Sequence, residues 1–265
     1  MKLYYSALSP FCRKVRMALD HKGLTYEIED DPKVEDFGHL APRAEVPVLE
    51  DGDLLVANSP DIVAYLEHLH PEPPHLLPPH PKLRARVRTW ERTSDTVVDA
   101  IVTALGNFAF SDIGPAPEGF LEACRDGMAP IYDALQRELE RQPFVCGELS
   151  IVDFALRPHL QAARFLGVPW SPERHPALAA WSQRLADLEV CKRDDALFRD
   201  YMGRLRDTNT QFDKINWGTF RLEWLLASGF HEFLGNEIRQ DKVLWSVGPS
   251  RNGLRSHHYR AERDA

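Results

Sequence analysis

The beginning of the chain is constrained most by a short strand that runs directly into a helix. Residues 1–5 are apolar and aromatic, which predicts a strand, and residues 10–22 carry apolar side chains at helical spacing. The connection, residues 9–12 (Ser-Pro-Phe-Cys), puts the Ser9 hydroxyl and the Cys12 thiol at a helix N-terminus. Free backbone N–H groups and the helix dipole favour an anion there, and a thiolate is an anion that such a site usefully holds.

A second pattern follows at residues 46–57, where two apolar runs flank a Gly-containing turn. This arrangement predicts a β-hairpin. Ser59 is then the N-cap candidate of a second helix, because Pro60 stands at the favoured first helical position. With an apolar strand around residues 26–28, residues 1–75 read as β-α-β-β-β-α.

These residues resemble the thioredoxin-like N-terminal domain of cytosolic glutathione transferases. The motif at residues 9–12 is of the bacterial Ser/Cys type, and it does not assign the chain to one transferase class. In that family the Val-Pro bond before the hairpin is cis, and the Ser after it binds the γ-glutamyl carboxylate of glutathione. The resemblance implies a backbone contact from Val46, a cis Pro47 and a carboxylate site at Ser59. Asn58 stands where the family usually has Glu or Gln, and Glu45 where it often has Lys or Gln.

Three side chains compete to activate the glutathione thiol. A hydroxyl that donates a hydrogen bond to sulfur favours the thiolate, and Ser9 is the first candidate because Ser- and Cys-type transferases carry their activating residue there. Tyr5 is an alternative, since Tyr-type transferases place the hydroxyl at the end of the first strand. Cys12, if exposed and of low pKa, would instead support thiol exchange through mixed disulfides.

Composition fits a cytoplasmic enzyme. The 265 residues carry a net charge of −8, and no basic stripe indicates nucleic-acid binding, although Arg13, Lys14 and Arg16 lie off the apolar stripe of the first helix. The four cysteines lack paired spacing, which is typical of a reducing compartment. We expect no signal peptide, no membrane span and no metal site.

The expected fold class is an α/β thioredoxin-like N-terminal domain plus an all-α C-terminal domain, with a long C-terminal extension. The predicted divisions are a glutathione-binding domain at 1–75, a Pro-rich linker at 76–82, an all-helical domain at 83–200 and the extension at 201–265. The linker follows from its proline density, because proline is excluded from helix interiors and stiffens a connector. The extension is predicted to be partly helical, with a mobile end.

Two features lie in the second half. Ser150 and Asp153 have capping-box spacing, which the transferase family also shows at the start of a buried helix, and we expect a folding role for them. The extension is predicted to be docked over residues 205–247, either as a stabilising helix or as a lid over the second-substrate pocket. The aromatic residues between 205 and 247 are Phe212, Trp217, Phe220, Trp224, Phe230, Phe233 and Trp245.

The function implied by the resemblance is that of a glutathione transferase of the detoxification type. Glutathione would be its co-substrate, a small hydrophobic electrophile its second substrate, and a homodimer its assembly. One alternative is a glutathione-dependent lyase, dehalogenase or thiol-exchange enzyme of aromatic catabolism. Another is a non-catalytic binding protein with the same fold.

Overall fold

The structure is a computed structural model that describes residues 1–32, 45–110, 114–207, 215–216, 219–240 and 242–244. Within its described residues, the N-terminal region has four strands and two helices, as expected. In chain order they are β1 (Lys2–Tyr5), α1 (Pro10–His21), β2 (Glu27–Asp30), β3 (Val48–Asp51), β4 (Leu54–Ala57) and α2 (Ser59–Leu69).

The four strands form one mixed sheet in the order β2-β1-β3-β4. β1 pairs in parallel with β2 and antiparallel with β3, so that Leu3 lies between Ile28 and Leu49. The parallel pair requires a crossover, which α1 supplies. The helix and the sheet share a buried core that includes Leu3, Val15, Leu19, Leu49 and Ile62. The predicted α/β arrangement is therefore confirmed.

The following region is helical, which confirms the second half of the predicted fold class. Its helices are α3 (Pro81–Thr93), α4 (Asp99–Phe110), α5 (Phe120–Leu139), α6 (Ile151–Phe165), α7 (Pro176–Asp187) and α8 (Glu189–Asp207). A π-helical segment, Ser94–Val98, joins α3 to α4. Nearly all of the first eleven residues of α6 are buried, which makes it the central helix of this region.

The proline-rich connector is held against both regions. Leu76 and Leu77 are buried, and their backbone N–H groups donate to the carboxylate of Glu67 on α2. The carbonyl of Leu76 accepts the N–H of Ile151 at the start of α6. The connector thus links the end of α2 to the buried helix.

Part of the extension is ordered and docked. It contains β5 (Ile215–Asn216), α9 (Thr219–Ala227), α10 (His231–Arg239) and β6 (Val243–Leu244). Rings from both helices pack on those of α4 and α5 through the pairs Phe108–Phe233, Phe120–Trp224 and Phe120–Phe230.

One aromatic residue of the extension departs from the expectation of burial. Phe220 is 41% exposed, and its ring lies 5.7 Å from the Arg92 guanidinium. A cation over its face lets an aromatic ring remain at the surface. Phe212, Trp217, Trp245 and the predicted mobile end lie outside the described residues.

Candidate functional site

Ser9 caps the first helix. Its backbone is extended (φ −80°, ψ 115°), and its Oγ accepts the N–H of Cys12 at 3.3 Å. A serine Oγ that accepts one hydrogen bond still carries a proton to donate. The side chain is partly exposed beside the loop from β1 to α1. Ser9 therefore presents a hydroxyl donor at a helix N-terminus.

Tyr5 lies beneath the same loop. It is 3% exposed, the Arg16 guanidinium lies 5.0 Å from its ring centre, and its hydroxyl has no hydrogen-bond partner among the described residues. Burial raises the pKa of Tyr5 well above its usual value. The ring is therefore buried, and its hydroxyl is unpaired within the described part of the chain.

Cys12 is fully buried on the inner face of α1, with an exposed fraction of 0%. Burial raises the pKa of its thiol to about 12, although a hydrogen bond with Ser9 acts in the opposite direction. A protonated, covered thiol is a poor nucleophile. This environment is that of a small core residue.

The Val46–Pro47 peptide bond is cis, as the resemblance implied. It directly precedes β3, and Val46 packs at the edge of the core between α1 and the sheet. Glu45 and Val46 are both partly exposed. The backbone of Val46 thus lies at the surface of the region that carries Ser9.

The N-terminus of α2 differs from the expectation in one respect. The carbonyl of Asn58 accepts the N–H of Ile62 at 2.9 Å, so Asn58 is the N-cap and Ser59 is the first helical residue. The prediction that Ser59 is the N-cap was wrong. Asn58 has a left-handed φ of 78°, and its exposed side-chain amide donates to Asp61 at 3.1 Å.

Because Asn58 is the N-cap, the Ser59 side chain is available for another role. Ser59 is buried, and its Oγ has no hydrogen-bond partner within the described part of the chain. A hydroxyl that is not used as a cap, next to the first N–H groups of a helix, suits a carboxylate. On this observation the residues fit a ligand with a carboxylate beside a peptide, as glutathione has.

The basic residues of α1 face inward and are paired. Lys14 Nζ contacts Glu91 at 3.1 Å and Asp95 at 2.6 Å, and the Arg13 Nε donates to Asp194 at 3.0 Å. Sequence reasoning missed these pairs because the partners lie at least 77 residues away along the chain. They fix α1, and with it the Ser9 loop, onto the helical region.

A further contact joins the loop to α6. The rings of Phe11 and His159 meet edge to face, with centroids 5.7 Å apart. His159 is buried and lies beside Asp99 at the start of α4, just after the π-helical segment. Such π-helical turns often occur at functional sites, but no local sequence signal identifies this one.

No group of three or more His, Cys, Asp or Glu side chains suited to a metal ion occurs among the residues that the structure describes. Within the same ranges, none of the helices has the length and apolarity needed to cross a membrane.

Comparisons with known proteins match both regions of the chain. A family model described as "Glutathione S-transferase, N-terminal domain" matches residues 3–74, and one described as "Glutathione S-transferase, C-terminal domain" matches residues 118–184. The second match ends before α8, so α9 and α10 lie outside it.

Relatives carry names of two kinds. A stringent starvation protein A homolog of Haemophilus ducreyi is 30% identical over 189 residues, covering 70% of this chain and 85% of the relative. Glutathione S-transferase U2 of Arabidopsis thaliana is 30% identical over 203 residues, covering 72% of this chain and 86% of the relative. A solved glutathione S-transferase of Methylobacillus flagellatus with glutathione bound is similar with a TM-score of 0.62 and 27% identity, covering 73% of this chain and 98% of that chain.

Proposed function

The chain belongs to the cytosolic glutathione transferase superfamily, and we propose on that premise that it binds glutathione and activates the thiol for attack on a small hydrophobic electrophile. The proposal depends on one observation. Two serine side chains, Ser9 and Ser59, lie at the N-termini of α1 and α2, and the cis Val46–Pro47 bond precedes β3 in the same region. The hydroxyl of Ser59 is buried without a partner among the described residues, and that of Ser9 retains a proton to donate.

Each part of glutathione then has a matching group. The γ-glutamyl carboxylate is placed at Ser59 and the first N–H groups of α2, where the helix dipole favours negative charge. The peptide backbone pairs with that of Val46. Asn58 and Glu45 flank these two positions, and the exposed amide of Asn58 donates to Asp61.

We propose that the sulfur of glutathione lies beside Ser9. A hydrogen bond from the Ser9 hydroxyl to sulfur stabilises the thiolate more than the thiol, and the N-terminus of α1 adds to this effect. Tyr5 and Cys12 are less suitable, because both are buried and burial raises the pKa of each. The burial of Cys12 also makes the thiol-exchange alternative unattractive.

The second substrate is placed between the Ser9 loop and the helical region, where Phe11 lies. We keep lyase and dehalogenase chemistry within this proposal, since the same thiolate displaces an ether or halide leaving group. The docked extension contacts the π-helical segment and α4 through α9.

Glutathione binding tests the proposal directly. Isothermal calorimetry of the wild type is expected to give a saturable signal with glutathione. Ser59→Ala is expected to weaken binding by about ten- to a hundredfold, because a hydrogen bond to a charged group contributes about 1.5–3 kcal/mol. Ser182→Ala, on the far helix α7, serves as the matched control and is expected to bind as the wild type does. Absence of glutathione binding by the wild type would refute the proposal.

A non-catalytic binding protein is the second candidate. One relative is named a stringent starvation protein rather than a transferase, and Asn58 and Glu45 depart from the transferase pattern. Retention on glutathione resin with turnover of chlorodinitrobenzene supports the transferase. Retention without turnover of such electrophiles suggests a narrow substrate or a thiol-exchange role, and absence of retention supports the binding protein.

We also place the protein in the cytoplasm as a homodimer. Both statements derive from the resemblance and the composition: four cysteines, all free and buried, are compatible with a reducing compartment.

A further inference from the structure

The extension reaches the Ser9 loop through a line of four side chains. It begins on α9, where Arg221 Nε donates to Asp99 Oδ2 at 2.9 Å and its Nη2 donates to Asp99 Oδ1 at 3.2 Å. The Asp99 side chain is 7% exposed and that of Arg221 is 16% exposed. This two-point contact is therefore largely shielded from water, where charge-assisted bonds are strong.

Asp99 also connects to α6. Thr103 Oγ donates to Asp99 Oδ1 at 3.0 Å, and His159 Nε2 lies 3.5 Å from the same oxygen. Burial alone would raise the pKa of Asp99, but the Arg221 guanidinium and His159 hold it well below its usual range. Asp99 is thus a buried carboxylate whose main counter-charge comes from the extension.

His159 connects Asp99 to the first turn of α1. Its Nδ1 lies 3.0 Å from the Ala155 carbonyl and 3.3 Å from Ser94 Oγ on the π-helical segment. Its ring meets Phe11 edge to face, at an interplanar angle of 81°. Phe11 stands two residues after Ser9 in the first turn of α1, the turn that holds the Ser9 Oγ through the Cys12 N–H.

We infer that Arg221 is a positioning residue for thiol activation: by holding Asp99 beside His159, it fixes the Phe11 ring and the first turn of α1 that orients Ser9. This inference rests on the proposed function for its consequence, and on the contacts between these four side chains for its geometry. It gives the extension a role beyond that of a lid or a stabilising helix.

The physical reason is the cost of an unpaired buried charge. Without Arg221, Asp99 would lie in a region that already holds the carboxylates of Glu91 and Asp95, with Lys14 bound to those two. An uncompensated buried carboxylate is strongly unfavourable, so Asp99 must turn toward water or draw His159 toward itself. Either movement withdraws the His159 ring from Phe11.

The test compares glutathione affinity with thiolate formation. In Arg221→Gln, glutathione affinity is expected to stay within about twofold of the wild type, because Ser59 and Pro47 take no part in the contacts that run from Arg221 to Phe11. Ultraviolet difference absorbance is expected to show at least about threefold less thiolate at the pH where wild-type-bound glutathione is half ionised, since small misplacements at a reacting group have large effects. Arg239→Gln, on α10, is the matched control with no expected change.

Two further variants separate positioning from folding. Thr103→Val removes one hydrogen bond to Asp99 without unpairing a charge, and is expected to shift thiolate formation in the same direction by a smaller factor. In a Phe11→Leu background, Arg221→Gln is expected to have no further effect on the thiolate, because residues that act through one contact are not additive.

A ligand-free measurement keeps the inference separate from the proposed function. With para-fluorophenylalanine at position 11, Arg221→Gln is expected to shift the fluorine resonance, whether or not glutathione binds. If the wild type fails to bind glutathione but the resonance shifts, the proposed function is wrong, and the coupling of Arg221 to Phe11 is supported. If the resonance and the thiolate are both unchanged while the melting temperature falls, the ion pair is only structural and the inference is wrong.

Discussion

At the scale of single residues, Asp153 has the most completely defined surroundings. Its Oδ1 accepts the Val145 N–H at 3.0 Å and the Trp181 indole N–H at 2.8 Å, and its Oδ2 accepts the Ser150 N–H at 2.9 Å. The capping box expected from the sequence is present, and it also connects α7 and the preceding loop. Burial raises the pKa of Asp153 to about 7, although these hydrogen bonds partly oppose the shift.

Replacing Asp153 by Asn is expected to lower the free energy of unfolding by about 2–4 kcal/mol, because either amide orientation leaves a buried N–H donor without its acceptor. Urea unfolding measures this. Asp126→Asn, at an exposed position of α5, is the control and should stay within about 0.5 kcal/mol of the wild type.

The same carboxyl predicts a pH dependence. Its folded pKa of about 7 lies above the usual value of 3.8, so the folded state holds a proton that the unfolded state has lost between these values. The contribution of Asp153 is therefore full below about pH 4 and declines as the pH rises to about 7. The difference in unfolding free energy between wild type and Asp153→Asn should shrink across that window; a difference that grows would contradict the raised pKa.

At the scale of elements, α9 provides an internal comparison. Leu225 and Leu226 are adjacent leucines of the same helix, yet Leu225 is 0% exposed and Leu226 is 43% exposed. Leu225→Ala is expected to lower the unfolding free energy by about 2–4 kcal/mol through loss of apolar burial and the cavity that remains. Leu226→Ala is expected to change it by less than about 1 kcal/mol. Equal effects would show that α9 is not docked as described.

The elements also show what local sequence can predict. The four strands of the N-terminal sheet, the hairpin and the cis Val46–Pro47 bond followed from residue patterns and the resemblance, because turns, periodicity and X–Pro chemistry are encoded within a few residues. The strands β5 and β6 of the extension were not predicted. The pairing of Lys14 with Glu91 did not, since it depends on how α1 packs against α3. The N-cap at Asn58 was missed for a related reason: Ser59 matches the cap preference locally, but its side chain is buried instead.

Across the whole molecule, several large apolar side chains lie at the surface. Leu83 and Val97 on the helical region, and Leu54 and Leu69 on the N-terminal region, are all more than one third exposed. We predict that a homodimer covers part of this surface. Light scattering at micromolar concentration should give about twice the chain mass of 30.3 kDa. A mass equal to that of one chain would contradict the dimer.

We propose above all that Ser9 stabilises the thiolate of bound glutathione. The direct measurement is a pH titration of the thiolate by ultraviolet difference absorbance, with wild type, Ser9→Ala and Tyr5→Phe each saturated with glutathione. We expect a thiol pKa below that of free glutathione in the wild type and in Tyr5→Phe, and a return toward the free value in Ser9→Ala, because the Ser9 hydroxyl is partly exposed and that of Tyr5 is buried. An unchanged titration in Ser9→Ala would remove Ser9 from this role, and the same loss in Tyr5→Phe would assign it to Tyr5.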